Sequence, residues 1–335
     1  MIQLHCKAKK GHHKMYIYVP DYYEKFCCIG SSCRDNCCIG WEIDIDKASL
    51  GKYMTLGGAL GDELRANITR SEDGSDCFAL MENERCPFLN ENNLCRLIIA
   101  GGEEMLCEIC TLHPRFREWF GDRCEMGIGL CCEEAARIII GDNKPFGLHI
   151  FRSEEGGGSF SPAESRLLEV RAELFKAIEE AGSYEEMTEA LLRISAQAEK
   201  ELTGNSPARI AFPRDIAYAE KTVSLITSLD PINKDWEQLC KKLYPINIIP
   251  ENTQLTGYKN LLYYYIFRYF MKSASDGEIF LKTALGVFSA EAVSFILSIT
   301  GQSLSDSACL WSKETEYSLE NLELIYDFLY ELYYK

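Results

Sequence analysis

Cysteine is distributed very unevenly along this chain, and that distribution limits what the chain can fold into more than any other feature. Fourteen of its 16 cysteines lie between Cys6 and Cys132, and only Cys240 and Cys309 follow. The start of the chain lacks the long apolar run of a secretory signal, so we expect a cytoplasmic protein, in which disulfides are rare. A chain of 335 residues also does not need disulfides to stabilise a core. Such cysteine density therefore points first to metal binding.

The charge of the chain excludes several classes of partner. Its 35 Lys and Arg against 51 Asp and Glu give a formal net charge of −16. An acidic chain repels phosphate backbones and anionic lipid headgroups, so we predict no nucleic-acid partner and no membrane partner. No segment approaches about 18 uninterrupted apolar residues, which predicts that no helix spans a membrane. A basic or amine-bearing partner fits this charge better, although an acidic surface can also serve solubility alone.

Cysteine content and glycine content divide the chain into two predicted domains. The stretch SEEGGGSF, residues 153–160, holds three consecutive glycines, which favour no regular element. Directly after it, Ser161 and Glu164 form the pattern of a helix capping box. Apolar residues then recur at helical spacing in several segments. We therefore predict a mainly α protein: an irregular, cysteine-rich, metal-binding domain with a little β at 1–152, and an all-α helical domain at 161–335.

Four local patterns predict secondary structure. MYIYVP, residues 15–20, predicts a short strand that ends at its proline, and WEIDID, residues 41–46, alternates apolar and acidic residues like a half-buried strand. KYMTLGGALGDELRANI predicts a helix broken at Gly57 and Gly58. The tyrosine-rich YYYIFRYF predicts a buried core helix. If it were instead a groove for a peptide, Arg268 would need a partner, for which we expect an acid of the first domain.

The spacing of the cysteines is that of metal ligands. Cys33-x3-Cys37 and Cys107-x2-Cys110 each let two sulfurs reach one centre from a single turn, and distant segments can then complete the set. Thiolates suit zinc or an iron–sulfur cluster. The spacing alone does not choose between these two kinds of centre.

Adjacent cysteines are harder to assign. Neighbouring side chains diverge, so Cys37 and Cys38 are not both expected on one ion, and one of such a pair either packs or serves a second centre. Cysteines that lack paired spacing or duplicate a neighbour are predicted to be inert, as buried thiols often are. These are Cys6, Cys27, Cys77, Cys124, Cys131, Cys240 and Cys309.

The block HPRF, residues 113–116, follows the last closely spaced pair and carries further polar candidates. His113 could ligate a metal, and Arg115 and Arg117 could hold a carboxylate through bidentate hydrogen bonds. In the alternative interpretation, Pro114 ends a helix and the arginines balance nearby acids at the surface.

Several sequence blocks occur in an order that is specific to one family. They are YYEKFCCIGSSCRDNCCIGWEIDIDK, RCPFLNENNLCRLI, CEICTLHPRF and CCEEAARII, and YKNLLYYYIFRYF follows later. The first four cover about residues 16–140. On these blocks the chain resembles the flagellin lysine-N-methylases, which are part of a wider group with a CxxCxxCC-type zinc- or iron-chelating domain.

The resemblance implies a reaction, two cofactors and a set of ligands. The reaction is methyl transfer from S-adenosylmethionine to lysine side chains of flagellin, and the second cofactor is an iron–sulfur cluster of the 4Fe-4S type, with zinc as the alternative. The family's metal ligands fall on Cys28, Cys33, Cys37, Cys38, Cys86, Cys95, Cys107, Cys110 and Cys132. Where the family usually has Cys-Pro-Glu-Ala-Ala-Arg, this chain has Cys132-Glu133-Glu134, which leaves open whether Cys131 or Cys132 ligates.

Methylation of lysine requires a neutral amine. A lysine with a pKa of about 10.4 is mostly protonated at pH 7 and must lose a proton before it can accept a methyl group. Glu42, Asp44 and Asp46 would share one side of the predicted WEIDID strand, beside the cysteines. They are our candidates for an acidic surface that receives the lysine. The alternative is a solvated strand face.

The site for S-adenosylmethionine has no familiar sequence signature. No Gly-rich turn follows a strand and opens a helix, as the usual nucleotide-binding fold requires. If the cofactor binds, an iron without a thiolate could chelate its amino and carboxylate groups, and Arg115 and Arg117 are candidates for holding that carboxylate. A rival hypothesis involves no catalysis: the chain would be a zinc- or iron-binding scaffold or metal carrier.

Overall fold

A computed structural model gives the fold of the chain. The structure describes residues 14–34, 36–71, 74–211, 213, 215–232, 234–244 and 254–335. Cys6, which we predict to be inert, lies outside these residues. The prediction of a mainly α protein with a little β is confirmed. The metal-binding character of the first part stays a prediction.

Short strands and helices alternate in the first part of the described chain, and long helices dominate the second. The strands are β1 (Lys14–Pro20), β2 (Ile68–Arg70), β3 (Asp76–Phe78), β4 (Arg115–Phe120), β5 (Arg123–Ile128) and β6 (Leu148–Glu155). The helices of the first part are α1 (Lys47–Thr55), α2 (Gly58–Ala66), α3 (Arg96–Gly101), α4 (Glu108–Leu112) and α5 (Glu133–Ile140). Those of the second part are α6 (Pro162–Glu180), α7 (Tyr184–Thr203), α8 (Ile216–Ser228), α9 (Lys234–Cys240), α10 (Leu255–Tyr269), α11 (Ser273–Asp276), α12 (Ile279–Thr300), α13 (Leu304–Glu316) and α14 (Leu319–Tyr334).

The four-stranded sheet decides where the segments of the chain meet. Its strand order is β4-β5-β1-β6, with β1 parallel to β5 and antiparallel to β6, and β4 and β5 form an antiparallel hairpin. The register pairs Tyr16 with Arg123 and Arg115 with Ile128. Strands β1 and β5 therefore finish, and β4 begins, at the same end of the sheet. We call this end, marked by Pro20, Arg115 and Ile128, the exit end.

One large hydrophobic core joins the sheet to the helices. It runs from Val19 of β1 and Ile128 of β5 to the buried residues of α12. A buried ion pair links α6 to the sheet, since Arg171 donates two hydrogen bonds, 2.7 and 2.6 Å long, to the carboxylate of Glu125 in β5. Residues on either side of 153–160 contribute to this core. The predicted domain division there stays a prediction.

A second, much smaller core lies within the cysteine-rich segment. Ten buried residues form it: Ile43, Ile45, Tyr53, Leu64, Phe78, Cys86, Phe88, Leu89, Leu97 and Cys107. A core of this size rarely supplies more than about 3–5 kcal/mol on its own. This part of the fold therefore depends on something besides apolar packing.

The tyrosine-rich helix α10 is buried, as the sequence predicts. Tyr258, Tyr264 and Tyr265 are among the largest fully buried side chains of the described residues. Beside it, α12 is long and apolar enough to cross a membrane, but 94% of its most apolar stretch is buried inside the protein. Packing against α7, α10 and α13 accounts for that composition.

The segment WEIDID, residues 41–46, is extended but is not the strand that its pattern predicts. Its two isoleucines are buried while Glu42 and Asp44 are exposed, so the alternation is as expected. Its pairing with β3 is reduced to one isolated bridge, between Asp44 and Cys77, because β3 is only three residues long. The strand prediction is therefore wrong, although the assignment of the two sides is right.

Helix α6 begins with the capping box that its sequence predicts. The Ser161 hydroxyl accepts a 3.1 Å hydrogen bond from the Glu164 N–H, and the Glu164 carboxylate accepts a 2.7 Å hydrogen bond from the Ser161 N–H. Ser161→Ala is expected to lower the free energy of unfolding by about 1 kcal/mol, because the N–H loses its acceptor. Urea denaturation measures this change. Ser161→Asp keeps an oxygen acceptor and should retain most of the stability, so an equal loss in both variants would contradict capping as the cause.

Candidate metal centre

Three chain segments that carry candidate ligands meet at the exit end of the sheet. Cys28 lies eight residues after β1 ends, His113 two residues before β4 begins, and Cys132 four residues after β5 ends. The Gly129 N–H donates to the Pro114 carbonyl over 2.7 Å, which holds the last two segments side by side. The sheet therefore positions these ligands, although they are far apart in sequence.

The first set of side chains, the His113 group, consists of Cys28, Cys37, Cys132 and His113. The imidazole of His113 forms hydrogen bonds with the thiols of Cys37 and Cys132. The thiol of Cys28 lies close enough to both of these thiols for their charges to interact, and it accepts a 3.4 Å hydrogen bond from the Gly30 N–H. Three thiols and an imidazole from three parts of the chain thus lie together.

The second set, the Cys110 group, consists of Cys38, Cys86, Cys95, Cys107 and Cys110. The sulfur atoms of Cys107 and Cys110 are 3.4 Å apart. The thiol of Cys38 interacts electrostatically with two other members of the group, and the thiol of Cys110 with three. A hydrogen bond from the thiol of Cys38 to the sulfur of Cys37 joins this group to the first.

Hydrogen bonds between neighbouring thiols favour one thiolate in each group. The hydrogen bond from Cys38 lowers the pKa of the Cys37 thiol far below its usual range, although burial opposes this, and the hydrogen bond from His113 adds to it. In the same way the hydrogen bond between Cys107 and Cys110 lowers the pKa of Cys107. Burial lowers the pKa of His113, but its hydrogen bonds with two thiols raise it to about 9. The thiolate is the form that ligates metals, so each group has one sulfur that favours the ligating form, whereas His113 must release a proton before its imidazole can ligate.

The donor atoms of the two groups are of the kinds that bind a metal, although their positions do not form a complete coordination site. Within the described residues, no three His, Cys, Asp or Glu side chains form a ready metal-binding set. The 3.4 Å between the sulfurs of Cys107 and Cys110 is nevertheless close to the separation of about 3.8 Å between two thiolates on tetrahedral zinc, given Zn–S bonds of about 2.3 Å. Thiols, with an imidazole in one group, are also the donors that zinc and iron–sulfur centres use.

Cys33 and Cys131 lie near the first group but make other contacts. The thiol of Cys33 is 3.5 Å from a carboxylate oxygen of Glu133, the first residue of α5. Cys131 is buried and hydrogen-bonds with a tyrosine hydroxyl, and burial raises the pKa of its thiol to about 12. Between Cys131 and Cys132, the contact with the imidazole favours Cys132 as the ligand. Ligation by Cys33 stays a prediction.

A buried polar network reaches the exit end from the helices, and sequence reasoning missed its central residue, Glu316. Arg268 of α10 pairs with Glu316 of α13 at 2.9 Å, so the expectation of an acid from the first domain is wrong. The Glu316 carboxylate also accepts hydrogen bonds from the hydroxyls of Tyr264 (2.8 Å) and Tyr269 (3.0 Å). The Tyr264 hydroxyl in turn accepts a 3.3 Å hydrogen bond from the N–H of Leu130, just after β5. An arginine within an apolar stretch indicates that a charged partner is needed, but the sequence of that stretch does not identify the partner.

Comparison with curated proteins finds relatives in Salmonella, whereas no protein-family model and no solved structure matches the chain. The chain is 27% identical over 157 residues to the lysine-N-methylases of Salmonella typhimurium strain LT2 and Salmonella choleraesuis strain SC-B67, with 44% of this chain and 39% of each relative covered. It is 28% identical over 128 residues to the flagellar biosynthetic protein FliU of Salmonella muenchen, with 37% of this chain and 76% of that protein covered. The resemblance to the flagellin lysine-N-methylase family is confirmed.

The match to these relatives covers part of each chain. This chain spans about two fifths of the length of the two lysine-N-methylases that it matches. The cofactors, the substrate and the activity of the whole relatives therefore have to be argued for this chain from its own residues.

The three acids that we consider as an acidic surface for a lysine fall into two kinds. The carboxylate of Asp46 caps α1, accepting hydrogen bonds from N–H groups that include that of Ser49, and it accepts another from Glu108 at the start of α4. The hydrogen bonds from Ser49 and Glu108 hold the pKa of Asp46 at about 2. Glu42 and Asp44, in contrast, are exposed on one side of their segment. Asp46 is therefore a structural cap, and Glu42 and Asp44 are the acids open to an incoming amine.

The two arginines that we consider for the cofactor carboxylate lie on β4. The guanidinium of Arg115 lies 5.2 Å from the centre of the Phe26 ring, in the segment that leads to Cys28. Arg117 is exposed, two residues further along the strand and on the same side. A role for either arginine in holding S-adenosylmethionine stays a prediction.

Proposed function

We propose that this chain is a lysine N-methyltransferase that acts on flagellin, takes the methyl group from S-adenosylmethionine and holds an iron–sulfur cluster with its cysteines. Relatives named lysine-N-methylase and flagellar biosynthetic protein FliU support the reaction class. One observation carries the proposal: eight thiols and one imidazole gather in two adjoining groups. The exposed acids Glu42 and Asp44 follow Cys38 of the second group closely in sequence.

The Cys110 group is the better place for the cluster. Its five thiols are enough for a cubane cluster, which takes four, and Cys86 and Cys107 are buried, so they can be kept from water. A cluster held by three of them would supply one iron without a thiolate, which can chelate the amino and carboxylate groups of S-adenosylmethionine. The hydrogen bond between Cys107 and Cys110 lowers the pKa of Cys107, which favours the thiolate form of this residue.

Glu42 and Asp44 would prepare the substrate lysine. Both carboxylates are exposed, and the formal charge of −16 adds to their attraction for an ammonium group. A carboxylate that accepts one proton from the ammonium leaves a neutral amine. The nitrogen lone pair then forms the new N–C bond while the bond from the methyl carbon to the sulfonium sulfur breaks, and S-adenosylhomocysteine leaves.

Replacing both open acids should slow methyl transfer strongly. The Glu42→Gln, Asp44→Asn double variant is expected to lower kcat/KM for flagellin by about 100-fold, because general acid–base catalysis contributes about 10²–10⁴-fold. Methylated lysines are counted by mass spectrometry after incubation with flagellin and S-adenosylmethionine without oxygen. Glu331→Gln, which removes an exposed acid of α14, is the matched control. A double variant as active as the control would contradict this role, and a metal-loaded, unmodified chain that methylates nothing would overturn the proposed function.

A second candidate, a non-catalytic zinc scaffold, has one observation in its favour. The sulfurs of Cys107 and Cys110 are 3.4 Å apart, which suits two ligands of a single tetrahedral ion. Elemental analysis of protein prepared without oxygen separates the candidates: iron and sulfide in a brown protein support the cluster, and stoichiometric zinc in a colourless one supports the scaffold. If the cluster is present, adding S-adenosylmethionine should change its visible spectrum, and an unchanged spectrum would count against direct binding of the cofactor.

A further inference from the structure

We propose that the adjacent Cys37 and Cys38 ligate two different metal centres. The Cys110 group holds the first centre, and the His113 group holds a second one: a single divalent transition-metal ion of the zinc type, bound by Cys28, Cys37, Cys132 and His113. This inference deepens the proposed function, because it takes the Cys110 group as a metal centre, but it does not require methyl transfer.

Apart from the hydrogen bond that Cys37 and Cys38 form with each other, the contacts of their thiols divide at the peptide bond between them. On one side, Cys37 hydrogen-bonds with His113, which also contacts Cys132. On the other side, the Cys38 carbonyl accepts a 2.9 Å hydrogen bond from the Cys86 N–H, and the Cys38 thiol interacts with the Cys110 group. Cys38 packs in the small core with the other thiols of the Cys110 group, whereas Cys132 packs against the large core, so two centres accommodate this pair better than one does.

Helix α4 spans the distance between the two groups. Cys107 immediately precedes this five-residue helix, Cys110 lies within it, and His113 immediately follows it. The His113 N–H donates to the Ile109 carbonyl over 3.0 Å, so the helix geometry fixes the backbone of His113 relative to Cys110. One short helix and the residues that flank it thus contribute two thiols to one group and an imidazole to the other.

The two groups also rest on different parts of the fold. Cys132 immediately precedes α5, which packs on α10 and α13, while His113 lies two residues before β4 and Cys28 eight residues after β1 of the large sheet. Cys86 and Cys107, by contrast, belong to the small core. Three thiolates and one imidazole form one of the standard ligand sets of tetrahedral zinc. The His113 group therefore has both the donors and the separate support that an independent ion needs.

Binding of Co²⁺ to the full-length chain tests the second centre. Metal-free protein, kept without oxygen, is titrated with Co²⁺, whose absorption reports tetrahedral thiolate ligation, and bound ions are counted by elemental analysis. Cys132→Ala and His113→Ala are each expected to lose one ion per chain and to keep the absorption of the other centre. The Cys107→Ala, Cys110→Ala double variant should do the reverse. His113→Cys should keep the ion but shift its absorption, because a thiolate replaces the imidazole.

Two control variants and one further assay separate the possible results. Cys131→Ala, next to a ligand, and Cys240→Ala, in α9, should keep both ions. The proposal is overturned if Cys132→Ala binds as many ions as the unmodified chain. It is also overturned if Cys132→Ala and the Cys107→Ala, Cys110→Ala variant both lose all Co²⁺ while their helical circular dichroism is retained, since that result means one shared centre. Methyl transfer is assayed separately, on protein that carries the iron–sulfur cluster: a chain that holds the cluster and the second ion but methylates nothing contradicts the proposed function alone.

Discussion

Glu316→Leu is expected to lower the free energy of unfolding by about 3–5 kcal/mol. The Glu316 side chain is 1% exposed and lies 2.9 Å from the guanidinium of Arg268. It also accepts hydrogen bonds from the hydroxyls of Tyr264 and Tyr269. Its removal leaves the charge of Arg268 buried without its partner, and breaking a buried pair on one side costs about this much. Urea unfolding followed by circular dichroism gives the measurement.

Two further variants test the cause of that loss. Glu331→Gln, which breaks the exposed pair between Glu331 and Lys335, should leave the free energy of unfolding almost unchanged, because solvent screens an exposed ion pair. The Glu316→Leu, Arg268→Met double variant should recover much of the loss, because no unpaired charge remains buried. A double variant as unstable as Glu316→Leu would show that lost tyrosine packing is responsible, and not the unpaired arginine.

Removing the metal should unfold the small core and leave the large one intact. The small core has ten buried residues, two of which, Cys86 and Cys107, belong to the Cys110 group. Structural zinc contributes about 10–16 kcal/mol of apparent binding free energy in zinc-finger peptides, far more than a core of this size supplies. After chelation, hydrogen exchange should become much faster at the N–H groups of Ile45 and Phe78, which donate to the backbone carbonyls of Asp76 and Ile43. The amides of α12 should remain protected.

The Cys107→Ala, Cys110→Ala variant provides the control for chelation. If the Cys110 group is the stabilising centre, the chelator should add little to the exchange that this variant already shows. Unchanged protection at Ile45 and Phe78 in the chelated chain, with the loss of metal verified by elemental analysis, would mean that the small core is stable by itself.

Local chemistry explains the parts of the fold that the sequence predicts well. The chain breaks between α1 and α2 at Gly57, and α2 begins at Gly58, because glycine favours a break over a continuous helix. Ser161 caps α6, and the tyrosines of α10 are buried. Each of these features depends on residues within a turn or two of one another, so a short window of sequence contains the whole cause.

Long-range pairing explains what sequence reasoning missed. Tyr16 of β1 lies opposite Arg123 of β5, and neither segment carries a signal that identifies its partner. The same is true of Glu316, which meets Arg268 from another helix. The spacing of the cysteines predicted metal ligands, but their division into two groups depends on where β1, β4 and β5 meet. For this reason His113, which the spacing treats as a minor candidate, gains weight only in the folded chain.

The exit end has a consequence for how such a protein can be rebuilt. The chain leaves the sheet after Pro20 and returns at Arg115, with one strand between them, so the two points are about 10 Å apart given a strand spacing of about 4.8 Å. The stretch 21–114 is thus an insertion whose two attachment points lie close together on the rest of the protein, which we call the host. A host with attachment points this close together can accept a short linker or a foreign domain in place of the native stretch 21–114. Cys132 stays on the host, where it is the single thiol of the His113 group that such an exchange would leave behind.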